Sequence, residues 1–253
     1  MTIDRAMARR ATAEGIGTAV LVAAVVGSGI MATRLTPDVG LQLVINALST
    51  VAALAVLIWS LGPISGAHFN PCVSLVAAIR AEMGWLETTL YAVAQIVGGL
   101  AGCVVANLMF DLPAIEASRH ARGGAGQWLG EVVATAGLLA LIGALTRTGL
   151  GRLGPALVPA WIGAAYFFTS STSFANPAVT IARSMSDTFA GIAPGSVLGF
   201  IAAQLVGAAL GAVLTEFFHP RPARPEPLDL PGPAHGGVAA YDRTIGSADA
   251  RRP

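Results

Sequence analysis

Ser65-Gly66-Ala67-His68-Phe69-Asn70-Pro71-Cys72-Val73 is echoed later in the chain by Thr172-Ser173-Phe174-Ala175-Asn176-Pro177-Ala178-Val179. Both copies end in Asn-Pro, a small residue and Val. An Asn side-chain oxygen accepts the orphan N–H groups that open a helix. Pro is favoured at the first helical position, where its missing donor costs nothing. Each copy therefore reads as a loop that becomes a helix at its Asn. Both helices must be short, because the first runs into Arg80 and Glu82 and the second into Ser186 and Asp187. A helix of about 10 residues is roughly 15 Å long. Two placed end to end cover the ~30 Å hydrocarbon core of a bilayer. Non-helical backbone at that depth is tolerated only where it lines a cavity or is buried in protein. The pair of motifs predicts a pore.

The remainder of the chain supports a membrane setting. Of 253 residues, 54% are hydrophobic and 11% charged, too apolar for a soluble domain. A net charge of +1 gives no reason to expect a nucleic-acid partner. Cys72 and Cys103 lie inside apolar segments, so no disulfide framework is expected. The first apolar run is too long, and its flanks unlike a cleavage site, for a secretory signal. Measured against the ~20 residues needed to span, the uncharged runs give six long helices. The first lies between Glu14 and Arg34, and the second runs from Asp38 to Gly62-Pro63. The third covers Trp85 to Phe110, the fourth Trp128 to Thr146, the fifth Pro155 to Ser170, and the sixth Pro194 to Phe218. The expected class is an all-α membrane protein with six spans and two re-entrant half-helices. Residues 219–253, rich in Pro and charge, read as a disordered tail.

An internal repeat divides the channel domain, residues 1–218, into about 11–110 and 126–218. Ala94-Gln95-Ile96-Val97-Gly98 in the third span matches Ala203-Gln204-Leu205-Val206-Gly207 in the sixth. That offset is 204 − 95 = 109, and the Asn-Pro copies are offset by 176 − 70 = 106. Glu14 and Glu131, near the starts of the first and fourth spans, form a third pair. Three spans per half is an odd number, so the halves must be inverted, a plan that many transport proteins share. Eleven arginines (5, 9, 10, 80, 147, 152 and five in the tail) fall on one side of the membrane; Arg34, Arg119, Arg122 and Arg183 fall on the other. Both termini are then expected in the cytoplasm, as in a multi-pass protein of a bacterial inner (plasma) membrane.

With the twin motifs and the inverted repeat in view, residues 11–218 resemble the major intrinsic protein family of aquaporins and aquaglyceroporins. The resemblance implies a channel for water or small uncharged solutes, usually a homotetramer with one pore per subunit, in a lipid bilayer and without a cofactor. It implies a constriction at Asn70, Pro71, Cys72, Asn176, Pro177 and Ala178. Two opposed helix N-termini carry positive partial charge, and half-helix dipoles of this kind exclude cations. In the family the residue three after the second Asn is Arg; here it is Val179. Family spacing places the other filter positions at Thr50, Ala164 and Ser173, or Phe174 if the loop shifts by one. A ring of Thr50, Ala164, Ser173 and Val179 carries no charge and no large aromatic, and should be wider and less water-selective than the family's. The combination most resembles the aquaglyceroporins that some bacteria carry among arsenic-resistance genes, which pass neutral arsenicals.

Each candidate also has a plainer reading. Thr50 could bond back to its own helical turn, and Ala164 and Ser173 could serve helix contacts. Glu14 and Glu131 are charges near membrane depth, which are functional by default; the resemblance implies that they support the Asn-Pro loops. His68 holds its loop or lines a vestibule, and no second ligand at suitable spacing makes it a metal site. Arg183 either points into the outer vestibule or snorkels to the interface. Cys72 is a packed small residue or a thiol open to mercurials and trivalent arsenic. Gly98, Gly102, Gly207 and Gly211 mark close helix contacts. A structural scaffold, a mainly water-selective pore and a coupled transporter are rival readings. No nucleophile–base pair, metal cluster or phosphate loop suggests an enzyme.

Overall fold

The computed structural model describes residues 4–221, which form eight α-helices and no strand. The first half is α1 (Arg5–Leu35), α2 (Val39–Ser65), α3 (Pro71–Ile79) and α4 (Trp85–Met109). The second repeats that order as α5 (Ala125–Arg147), α6 (Gly154–Phe168), α7 (Pro177–Arg183) and α8 (Pro194–Phe218). The half-helices α3 and α7 have 9 and 7 residues and open at Asn70 and Asn176. Five of the six long helices are long and apolar enough to cross a membrane by length and composition. The exception is α6, with 15 residues, which a 3-10 turn at Gly151–Leu153 extends at its start. All but residues 219–221 of the expected tail lies outside the described residues.

Helix ends follow local chemistry. Asp4 caps α1 by accepting the Met7 N–H at 2.7 Å, and Asp38 caps α2 by accepting the Leu41 N–H at 2.7 Å. α2 stops where Gly66 turns left-handed, with φ 87°, as helices often end. Because α1 begins at Arg5 and α5 at Ala125, Glu14 and Glu131 sit well inside their helices rather than near the starts.

Small residues set the packing. α1 runs along α4, and α5 along α8. A Cβ at Gly98 or Gly102 would lie 2.0 Å from the carbonyl oxygen of Gly15 or Ala19. At Gly207 and Gly211 the nearest carbonyl oxygens, of Val132 and Ala136, would be 2.6 and 2.5 Å away. Only glycine allows backbones to approach so closely. The halves also interlock: α7 packs against α1 and α4, α3 against α8, and α2 against α6. Large apolar side chains such as Trp59, Val97, Leu198 and Phe217 are exposed on the helix surfaces, as a hydrocarbon solvent requires.

Candidate functional site

Both Asn-Pro loops run through backbone conformations that most residues avoid. Ala67 and Phe69 have φ of 51° and 47°, and their counterparts Ser173 and Ala175 have 52° and 47°. Left-handed non-glycine residues cost on the order of 1–3 kcal/mol each and persist only where the surroundings enforce them. Two buried carboxylates do so. Glu14 accepts the Ser65 hydroxyl (2.6 Å), the backbone N–H of His68 (3.0 Å) and of Phe69 (2.6 Å), and the Gln95 amide (2.8 Å). Glu131 accepts the N–H of Phe174 (2.8 Å) and of Ala175 (2.8 Å), and the Gln204 amide (2.6 Å). The glutamine amides reach on to Ser74 and Thr180 in the half-helices. Gln95 and Gln204 are the two repeat positions noticed in the sequence, and they join carboxylate to half-helix.

The loops lock to each other through the asparagines. Asn70 Nδ2 donates to the Ala175 carbonyl at 2.7 Å, and Asn176 Nδ2 donates to the Phe69 carbonyl at 2.7 Å. Each Oδ1 caps its own half-helix, accepting from Cys72 in one case and from Ala178 and Val179 in the other. An amide nitrogen carries two protons, so one N–H per Asn stays free for the cavity that both residues line. Pro71, Cys72, Pro177 and Ala178 stand off that lining. They occupy the first two helical positions, while the face one turn on belongs to Val73 and Val179. Cys72 and Ala178 are fully buried. The Cys72 side chain is packed in the core and lies outside the cavity lining.

The cavity has a volume of about 370 Å³ and runs past both loops. Thr50, Ser173, Phe174 and Val179 line it. The loop therefore presents both Ser173 and Phe174, not one in place of the other. Thr50 combines its two readings, donating to the Asn46 carbonyl at 2.8 Å while facing the cavity. Ala164 is a correction. It is exposed on the outside of α6, whereas Val158, Ile162 and Tyr166 line the cavity. Residues two apart on a helix point in different directions, so the face carrying Ile162 and Tyr166 excludes Ala164. The phenol of Tyr166 lies 3.3 Å from Thr50 Oγ1, so the ring expected to lack an aromatic has one.

The two mouths differ. Beside α3, His68 packs edge-on to Tyr91 at 5.5 Å, its Nδ1 is 3.0 Å from Ser74 Oγ, and Arg80 closes the lining. Beside α7, Arg183 lines the cavity at 3% exposure and rests 3.4 Å over the ring of Phe174. It faces the vestibule rather than snorkelling away, so the lining is not free of charge. Sequence reasoning missed Tyr166, whose signal was the i, i+4, i+8 spacing of Val158, Ile162 and Tyr166.

Comparison with known proteins agrees with this arrangement. The family model for the major intrinsic protein matches residues 2–175. The chain belongs to that family. Among curated members, aquaglyceroporin AqpS of Rhizobium meliloti (strain 1021) is 51% identical over 219 residues, covering 87% of this chain and 93% of that protein. Aquaporin Z of Rhodopseudomonas palustris (strain ATCC BAA-98 / CGA009) is 30% identical over 227 residues, covering 83% and 93%. The X-ray structure of the aquaglyceroporin from Plasmodium falciparum superposes with a TM-score of 0.65 at 20% identity, over 84% of this chain and 96% of that one, which shows the shared fold. As a major intrinsic protein, the chain is a multi-pass membrane channel for small neutral solutes and not an enzyme.

Proposed function

We propose that this channel passes neutral solutes of polyol size and above, with glycerol, arsenous acid and methylated arsenicals as leading permeants. The reading is carried by Val179. It faces the cavity one turn beyond Asn176, where the family the sequence resembles carries a guanidinium. Valine leaves an apolar wall beside the hydroxyls of Thr50 and Tyr166, suited to solutes with both oxygens and an apolar side. The relative named aquaglyceroporin AqpS supports the same class. Glu14, Glu131 and His68 serve as loop supports, and Asn70 and Asn176 donate to passing oxygens. Residues 11–110 and 126–218 are the two repeats.

Solute uptake into proteoliposomes tests the reading. Val179→Arg should lower glycerol and arsenous acid uptake by about tenfold, the scale of a changed pocket contact. Undiminished uptake would remove Val179 from the filter. A second reading, a mainly water-selective pore, draws on Tyr166, which narrows the ring. It would be established if light scattering showed rapid water flux with glycerol flux at the level of empty liposomes. A scaffold would match empty liposomes for both. We further propose a homotetramer in a plasma membrane with both termini cytoplasmic, tested by cross-linking in native membranes and by labelling of terminal cysteine tags from each side.

A further inference from the structure

Arg183 lies four residues past Val179, on the face that also carries Asn176. Its Nε–H donates to the Ala190 carbonyl. Among the described residues that is the sole hydrogen bond of its side chain, and no carboxylate comes within ion-pair distance. A guanidinium has five N–H donors, so four have no protein partner. The cation is held flat all the same. Its Cζ lies 3.4 Å from the centroid of Phe174, and Phe174 is braced edge-on by Phe200 at 5.1 Å. Arg122 lies 5.2 Å from the same ring, with its own donors tied to the carbonyls of Gly191 and Phe189. The neighbouring charge is therefore also a cation.

A buried charge without a partner is costly. If Arg183 served only to tie the segment after α7, one donor to Ala190 would be enough. Arg183 instead lines the cavity, held by a ring that itself makes no hydrogen bond. We propose that Arg183, braced on Phe174, is the docking site for oxyacids, solutes with two or more oxygens on one central atom. The planar fork bonds two such oxygens side by side, which a lysine ammonium, a point charge, does not do. The hydroxyls of a polyol sit on separate carbons and must fix a carbon–carbon rotor before they meet the fork as a pair, which costs conformational entropy. The cation missing at position 179 is thus retained one turn further out, where it selects solutes at the entrance instead of narrowing the ring. This inference rests on the solute-channel reading and deepens it.

The test uses the full-length protein in proteoliposomes, with arsenous acid and glycerol as solutes. Arg183→Lys keeps the charge and loses the fork. It should raise the apparent KM for arsenous acid about tenfold, one bidentate pair's worth of affinity, and leave glycerol uptake within about twofold. Inorganic phosphate, an oxyanion matched to the fork, should slow arsenous acid uptake in the wild type and not in Arg183→Met. Phe174→Leu, which leaves the arginine but removes its support, should weaken phosphate inhibition of arsenous acid uptake. Parallel loss of both solutes in Arg183→Lys, or a wild type indifferent to phosphate, would overturn the docking site and leave the channel reading standing. A wild type that passes neither solute would overturn the channel reading and this inference together.

Discussion

Around residues 65–74, Glu14 collects four hydrogen bonds; around residues 171–180, Glu131 collects three, lacking a counterpart to the Ser65 hydroxyl. In other respects the supports match, down to paired left-handed residues and reciprocal Asn bonds. What differs is the chemistry facing the mouths. His68 in one loop corresponds to Phe174 in the other, and Ala77 to Arg183, both at the motif offset of 106. The connections differ too. Residues 80–84 lead directly from α3 to α4, whereas residues 184–193 after α7 are strapped to the loop between α4 and α5. The lesson is a division of labour. The carboxylate-and-amide frame is duplicated because both half-helices need the same backbone, while the mouths are free to diverge because neither holds the other in place.

The largest expected effect tests that frame. Glu14→Ala leaves four buried donors without an acceptor and Glu131→Ala leaves three, so each should cost on the order of 3–5 kcal/mol. Glu14→Ala should cost more. Thermal unfolding in detergent measures the difference, and Ser65→Ala should by itself account for about 1 kcal/mol of it. Equal losses for the two glutamates would show that the fourth bond contributes nothing. Next come the glycine faces. Gly98→Ala meets a carbonyl at 2.0 Å and Gly207→Ala one at 2.6 Å. Overpacking of this kind costs about 1–3 kcal/mol, with Gly98 the more sensitive. A reversed order would mean that α1 and α4 can part more easily than α5 and α8, contrary to their closer approach.

Much of this was legible in residues 65–73 and 172–179. Asn-Pro favours a helix start, and two copies in an apolar chain point to a pair of half-helices. Glu14 and Glu131 stood out as lone charges near membrane depth, and the family resemblance tied them to the Asn-Pro loops. The strained residues were not legible: Ala67, Phe69, Ser173 and Ala175 carry no preference for left-handed backbone, and only the carboxylates impose it. The wall contributed by α6 was misjudged at Ala164, because family spacing does not fix helix rotation, whereas the periodicity of Val158, Ile162 and Tyr166 does. Arg183 was legible as a residue but not as a partnerless one, since that depends on which acids fold near it.

The smallest effect concerns the strap beside Arg183. Asp187 accepts the backbone N–H of Arg119 at 2.8 Å and its Nε–H at 2.6 Å, which hold the carboxyl below the usual carboxylate range. A carboxyl more acidic in the folded than in the unfolded chain stabilises the fold above the unfolded value, about pH 4. That contribution is lost as pH falls through the lower folded value. Asp187→Asn should therefore lower Tm by about 1–2 °C near pH 7, as for a single solvent-accessible ion pair. The gap between variant and wild type should narrow as the pH drops below about 4. A gap that stays constant into strong acid would leave the strap to its backbone pairs, Glu116 N–H to Met185 O and Ser118 N–H to Ser184 O. The contrast between the two mouths would then be one of connection length and of Arg183 stacked on Phe174.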